Sequence, residues 1–161
     1  MLKLTFDTSC FFDYFKRSPE FVERLIEFQD EGKVEIAMTT RVRADTIGKR
    51  ANSSIWIKIK NFPCISIPTV GRWDISYWDE DFFGGEKESD LNDLIFFCIG
   101  KKIRNVRDVD HLIGHINGKR DIFVTRDESE FINNRVCLEG KCNVSIMTPE
   151  ECVKHIEFKV S

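Results

Sequence analysis

The sequence predicts an α/β protein, a three-layer α/β/α arrangement around a mainly parallel central sheet. Short apolar runs near 2–6, 34–38, 64–68, 121–125 and 143–147 alternate with segments of helical period. Strands joined through helices of that length form right-handed crossovers in a parallel sheet. The third observation is positional. Asp7, Asp45, Asp108 and Asp127 each stand just past a strand or at the opening of a helix. In an open parallel sheet, residues at the carboxyl ends of neighbouring strands meet in one crevice.

Along the chain, Leu2 to Phe6 reads as the first strand, closed by Asp7, and an aromatic helix follows from Cys10 to Phe15. Ser18 reads as an N-cap with Pro19 at the first helical position, where a missing N–H costs nothing. Phe21, Leu25 and Phe28 then share one helical face until Gly32. Val34 to Met38 is the second strand, and a helix from about Thr40 carries Asp45 on its first turns. Ser53 to Lys60 admits either helix or strand. Cys64 to Pro68 is a short strand that its proline stops.

The stretch 70–85, with Trp73, Tyr77, Trp78, Phe82 and Phe83 among acids, has no clean period and reads as an excursion from the core, as a flap or a protein interface. A helix is expected from Ser89 to Gly100, and another opens at Asp108 with Val109, Leu112, Ile113 and Ile116 as its buried stripe. Strands at 121–125 and 143–147 follow. Thr148-Pro149-Glu150-Glu151 is a capping signature for a terminal helix.

A chain of 161 residues, 42% hydrophobic and 32% charged, suits one globular domain and not a disordered one. There is no basic-then-apolar leader and no apolar stretch of spanning length, so a cytoplasmic protein without membrane contact is expected. Cys10, Cys64, Cys98 and Cys152 lie among apolar neighbours, as buried thiols do. Cys137 and Cys142 flank three residues and read as cross-strand neighbours in a turn, since two further zinc ligands are lacking nearby. His111 and His115 are spaced for a metal pair but are expected as partly exposed helix residues.

The net charge of −3 argues against a general polyanion binder. The distribution matters more: Lys101, Lys102, Arg104 and Arg107 crowd the residues before Asp108. Four acids in one crevice would repel one another unless hard divalent cations sat between them. Carboxylates holding Mg²⁺ or Mn²⁺ beside cations that hold a phosphate backbone are the parts a nuclease needs. Ser9 and Thr125 flank the acids as supporting hydroxyls.

Phe6-Asp7-Thr8-Ser9, Asp108-Val109-Asp110-His111-Leu112, Val124-Thr125-Arg126-Asp127 and Met147-Thr148-Pro149-Glu150-Glu151 together resemble the PIN-domain ribonucleases, over nearly the whole chain. The resemblance implies a metal-dependent endoribonuclease. Asp7, Asp45, Asp108 and Asp127 would be the catalytic and metal-holding acids, with Mg²⁺ or Mn²⁺ as cofactor. Arg41, Arg43, Lys101, Lys102, Arg104 and Arg107 would hold the RNA. It also implies an association with toxins that a cognate antitoxin keeps inactive, often as homodimers. The alternative is a catalytically inactive PIN-like scaffold or RNA-binding module. Two departures stand out. The family's second acid is usually glutamate, where this chain has Asp45, and the 70–85 excursion exceeds what small toxin members carry. Asp108 and Asp110 lie about 200° apart on a helix, so only one can face the site. Periodicity does not choose between them; the resemblance favours Asp108 and leaves Asp110 as a first-turn charge.

Overall fold

The structure, a computed structural model, describes residues 1–47, 53–71 and 84–160. Most of the 70–85 excursion, with all five of its aromatic residues, therefore lies outside the described residues. Five strands form one sheet: β1 (Leu2–Phe6), β2 (Val34–Thr39), β3 (Ile65–Ile67), β4 (Ile122–Val124) and β5 (Ile146–Met147). They lie in the order β3-β2-β1-β4-β5, and every pairing is parallel. β1 sits at the centre, so the residues that follow β1, β2 and β4 emerge side by side along one edge.

Strand alternation sends the two faces of the sheet into two cores. On one face Leu4, Phe6, Val34, Ile36, Ile122 and Val124 pack under α1 (Thr8–Lys16), α2 (Glu20–Asp30), α4 (Ser53–Lys60) and α8 (Pro149–Val160). On the other, Phe123 and Ile146 pack under α5 (Glu86–Ile99), α6 (Val106–Asn117) and α7 (Arg135–Cys142). This is the three-layer, PIN-like α/β/α fold that the alternation of elements predicts, with an all-parallel sheet where a mainly parallel one is expected.

Several boundaries move, each for a local reason. Ser18 does not cap α2: Pro19 takes that position in helical dihedrals that its ring already favours, without a side-chain cap. The helix expected from Ser89 starts at Glu86, because the Glu88 carboxylate accepts a hydrogen bond from the Gly85 N–H (2.8 Å) and closes the end three residues earlier. Ser53 to Lys60 resolves as helix. The strand expected over 143–147 is reduced to two residues because Asn143, at φ 53°, terminates α7 in the left-handed region. Thr148 and Glu151 do form the expected reciprocal cap on α8.

The cysteines are rearranged more deeply. Cys137 and Cys142 lie on α7, not on paired strands, and Cys137 forms a disulfide with Cys98 of α5 at a Cα–Cα distance of 5.7 Å. Cys10 and Cys152 are buried free thiols as expected. Among the described residues no helix is long and apolar enough to cross a membrane.

Candidate functional site

The site is organised by α6, which packs closely on the sheet. A Cβ at Gly114 would lie 2.9 Å from Thr39 Cγ2 and 3.2 Å from the Pro68 carbonyl oxygen, so only glycine allows this approach. The approach buries His111 and His115, at 0% and 1% exposure, where partly exposed histidines are expected. Each meets a sheet hydroxyl: His115 Nδ1 lies 2.9 Å from Thr5 Oγ1, and His111 Nδ1 lies 2.6 Å from Thr39 Oγ1. Burial, then the nearby Arg120 charge, pushes His115 down to about 3, so it is neutral.

The carboxyl edge of β1 and β4 holds Asp7. Its Oδ2 accepts hydrogen bonds from Ser9 Oγ (2.6 Å) and Thr125 Oγ1 (2.8 Å), and its Oδ1 lies 3.9 Å from His111 Nε2. Ser9 and Thr125 thus orient one oxygen of Asp7 and leave the other turned to the crevice. Thr125 also accepts from the backbone N–H of Asp127 at 3.0 Å. Asp127 itself caps the short π-helical turn Glu128–Ile132: its Oδ1 accepts from the Glu130 N–H and the Ser129 hydroxyl, each at 3.0 Å.

Asp45, on α3 (Arg41–Ile47), is the most engaged of the four. Its Oδ2 accepts from Thr8 Oγ1 (2.6 Å) and lies 2.7 Å from His111 Nε2, and its Oδ1 lies 3.4 Å from the Arg107 guanidinium. Burial alone would raise its pKa. The hydrogen bond and charge of His111, with Thr8 and Arg107, bring it below the ordinary carboxylate value. His111 moves the other way: burial opposes its charge, but Asp45, then Asp7 and Asp108, raise its pKa. Thr39, His111 and Asp45 thus form a buried relay from β2 to the acid crevice. The His in the Asp-x-x-His spacing was the one available signal for it.

Asp108, in the first turn of α6, has no hydrogen bond or ion pair among the described residues. Burial and the charge of Asp7, partly offset by His111 and reinforced by Asp127 and Asp45, push its pKa up to about 7. All three other acids therefore bear on it. Asp110, two residues on, is not a first-turn surface charge: it is fully buried and pairs with Arg41 at 3.0 Å. That also corrects Arg41, expected to hold RNA. At 1% exposure it is sealed in the core, where it also donates to the Val70 carbonyl (2.9 Å). A guanidinium so placed cannot meet a phosphate.

The remaining cations divide. Lys101 and Lys102 are exposed in the segment between α5 and α6; Arg104 is exposed and lies 3.6 Å from Glu130; Arg107 leans on Asp45. Arg43 lies half-buried on the far side of α3, near the Trp56 ring.

The donor chemistry suits a hard divalent cation. The set is all oxygen, and Asp7, Asp108 and Asp127 each keep at least one oxygen without a hydrogen bond among the described residues. The arrangement is nevertheless open: among the described residues no three His, Cys, Asp or Glu side chains close around one point as a ligand group. Asp45 has both of its oxygens taken by protein partners.

No protein-family model matches the sequence, and no curated protein matches it. A solved structure does match in three dimensions, the crystal structure of VapBC2 from Rickettsia felis bound to a DNA fragment from their promoter. The likeness covers 91% of this chain and 98% of that one, with a TM-score of 0.57 and 14% identity. At that identity the likeness shows the fold, and the chain is similar to one component of that complex in architecture.

Proposed function

We propose that the protein is a metal-dependent endoribonuclease of the PIN type, cleaving RNA phosphodiester bonds. The observation that carries the reading is the convergence on Asp108 of Asp7, Asp45 and Asp127, four acids spread over 120 residues and brought to the carboxyl edge of one parallel sheet. Clustering charge in this way weakens an apo fold and gains its use from a bound cation. Asp7, Asp45, Asp108 and Asp127 are the residues that would hold Mg²⁺ or Mn²⁺, with Asp45 the one whose oxygens must be shared with His111, Thr8 and Arg107. A divalent cation supplies charge against the phosphoryl oxygens and lowers the pKa of water.

The chain's own residues set the remaining chemistry. Ser9 and Thr125 fix the rotamer of Asp7, and the Thr39–His111 pair fixes Asp45. Lys101 and Lys102 neutralise the RNA backbone at the rim. The solved neighbour is a VapBC2 complex, which supports a toxin held by an antitoxin as the biological setting; a homodimer belongs to the same reading. The second reading, an inactive PIN-like scaffold or RNA-binding module, is favoured by one observation, the full engagement of Asp45. Incubation of a mixed RNA pool with the purified protein, with and without Mn²⁺, separates them. Mn²⁺-dependent fragments support the nuclease, and intact RNA at every metal concentration supports the scaffold.

A further inference from the structure

Thr39, whose hydroxyl meets His111, also borders a pocket of about 530 Å³. It opens at the carboxyl ends of β2 and β3 and is bordered by Met38, Thr40, Arg43, Trp56, Lys60 and Ser66. The volume is in the range of small-ligand sites. Its chemistry is specific. The half-buried Trp56 gives one aromatic wall, with the Arg43 guanidinium 5.9 Å from the ring centroid. Lys60 stands exposed at the rim, and Met38 and Ser66 are register partners on neighbouring strands. No carboxylate borders it among the described residues. The His111 that Thr39 meets is the partner of Asp45.

We propose that this pocket is a nucleobase subsite: an unpaired base of the RNA stacks on Trp56 while Arg43 and Lys60 neutralise its flanking phosphates. The proposal rests on the ribonuclease reading and names the part of the substrate that reading leaves open. An aromatic face with cations around it is the pattern that binds single-stranded nucleic acid, because every base offers a π-face and every linkage a charge. A protein partner is less well matched: two cations flank the one ring, with Met38 and Pro68 as the other apolar side chains on the border among the described residues. Thr40 and Ser66, both on the border, carry hydroxyls that can hydrogen-bond a base edge, which allows a modest preference among bases. Thr39 links the pocket through His111 to Asp45, so a base seated there would set which phosphodiester enters the crevice.

The experiment measures binding by fluorescence anisotropy of dye-labelled single-stranded RNA of about eight nucleotides, in EDTA so that no cleavage occurs. One abasic site is moved along the strand, against wild type, Trp56→Phe, Trp56→Ala and Lys60→Ala. Loss of the base at one position is expected to weaken wild-type binding roughly 5- to 100-fold, the range of one base–aromatic stack. That positional effect should persist in Trp56→Phe and vanish in Trp56→Ala. Lys60→Ala should lower the salt dependence and leave the positional effect in place. A flat abasic profile in wild type overturns the subsite, without recourse to any variant. A profile that survives in a folded Trp56→Ala overturns it as well, and the pocket is then left to a protein partner. If wild type cleaves RNA with Mn²⁺ but shows the flat profile, the subsite fails and the nuclease stands; if it neither binds nor cleaves RNA, both fail.

Discussion

Asp108 and Asp110 sit two residues apart on one helix and live in opposite electrostatic worlds. Asp110 is fully buried and answered by the equally buried Arg41. Asp108 is partly exposed and has no hydrogen bond or ion pair among the described residues; burial, then Asp7 and the other two acids, push its pKa up to about 7. The first is a closed ion pair that ties α6 to the start of α3. The second is a charge left over, of the kind that a ligand has to complete. The contrast teaches that a buried acid can be wholly satisfied, while a less buried one among like charges keeps a perturbed pKa, the pattern by which the proposed nuclease site is read.

Four measurements test that contrast. The largest effect is expected on the chemistry. Asp108→Asn and Asp7→Asn should each lower Mn²⁺-dependent RNA cleavage by roughly 10³-fold or more, because several kcal/mol of charge stabilisation depend on the ligand set. Circular dichroism should show both variants folded. If Asp108→Asn cleaves like wild type, the open acid has no catalytic part.

Asp110→Asn should do the reverse. Breaking a buried pair leaves Arg41 uncompensated and costs about 3–5 kcal/mol, a fall in Tm of roughly 6–20 °C for a chain of this size. The folded fraction should keep its cleavage rate. A thermal midpoint within a degree or two of wild type would mean that Arg41 finds another acceptor.

Stability should also depend on metal and pH through Asp108. A divalent cation at a hundredfold excess over Kd adds about 2.7 kcal/mol, or roughly 5–11 °C in Tm, and Asp108→Asn should lose most of that gain. In EDTA the sign is fixed by linkage. Between the ordinary value of 3.8 and about 7, native Asp108 keeps its proton while the unfolded chain has released it. The native state then binds more protons, so this group's contribution falls as pH rises through that window, by an amount on the order of a few kcal/mol. His115 works oppositely: held neutral down to about 3, it lowers stability as pH drops from 6.5. Urea melts of wild type and Asp108→Asn across pH 4–8 isolate the first effect. A difference between the two that is constant with pH would show that Asp108 is an ordinary solvated acid.

The smallest effect is expected at the rim. Alanine at Lys101 and Lys102 should weaken RNA binding and reduce the slope of log K against log salt by about 0.7 for each phosphate no longer neutralised. Cleavage of bound RNA should be unchanged, since in this reading both side chains neutralise phosphates and hold no metal.

The strand runs, the capping box at Thr148 and the positions of the acids after β1, β2 and β4 were legible in the sequence because each rests on local chemistry. Apolar alternation, a hydroxyl three residues before a glutamate, and a carboxylate at a strand end need no knowledge of distant neighbours. Parallel pairing followed from the helices between the strands. The choice between Asp108 and Asp110, by contrast, depended on which side of α6 faces Arg41, and a period of 3.6 places both beside the apolar stripe. The burial of Arg41 and the two histidines depended on how closely Gly114 lets α6 approach β2. The pairing of Cys98 with Cys137 joins helices 39 residues apart, and the Trp56 pocket joins two strands and two helices. The sequence by itself determined which groups this protein has and at which edge of the sheet they emerge. Only the tertiary structure decided which of those charges are neutralised by a partner and which are left open, because a charge's environment is set by residues far away along the chain.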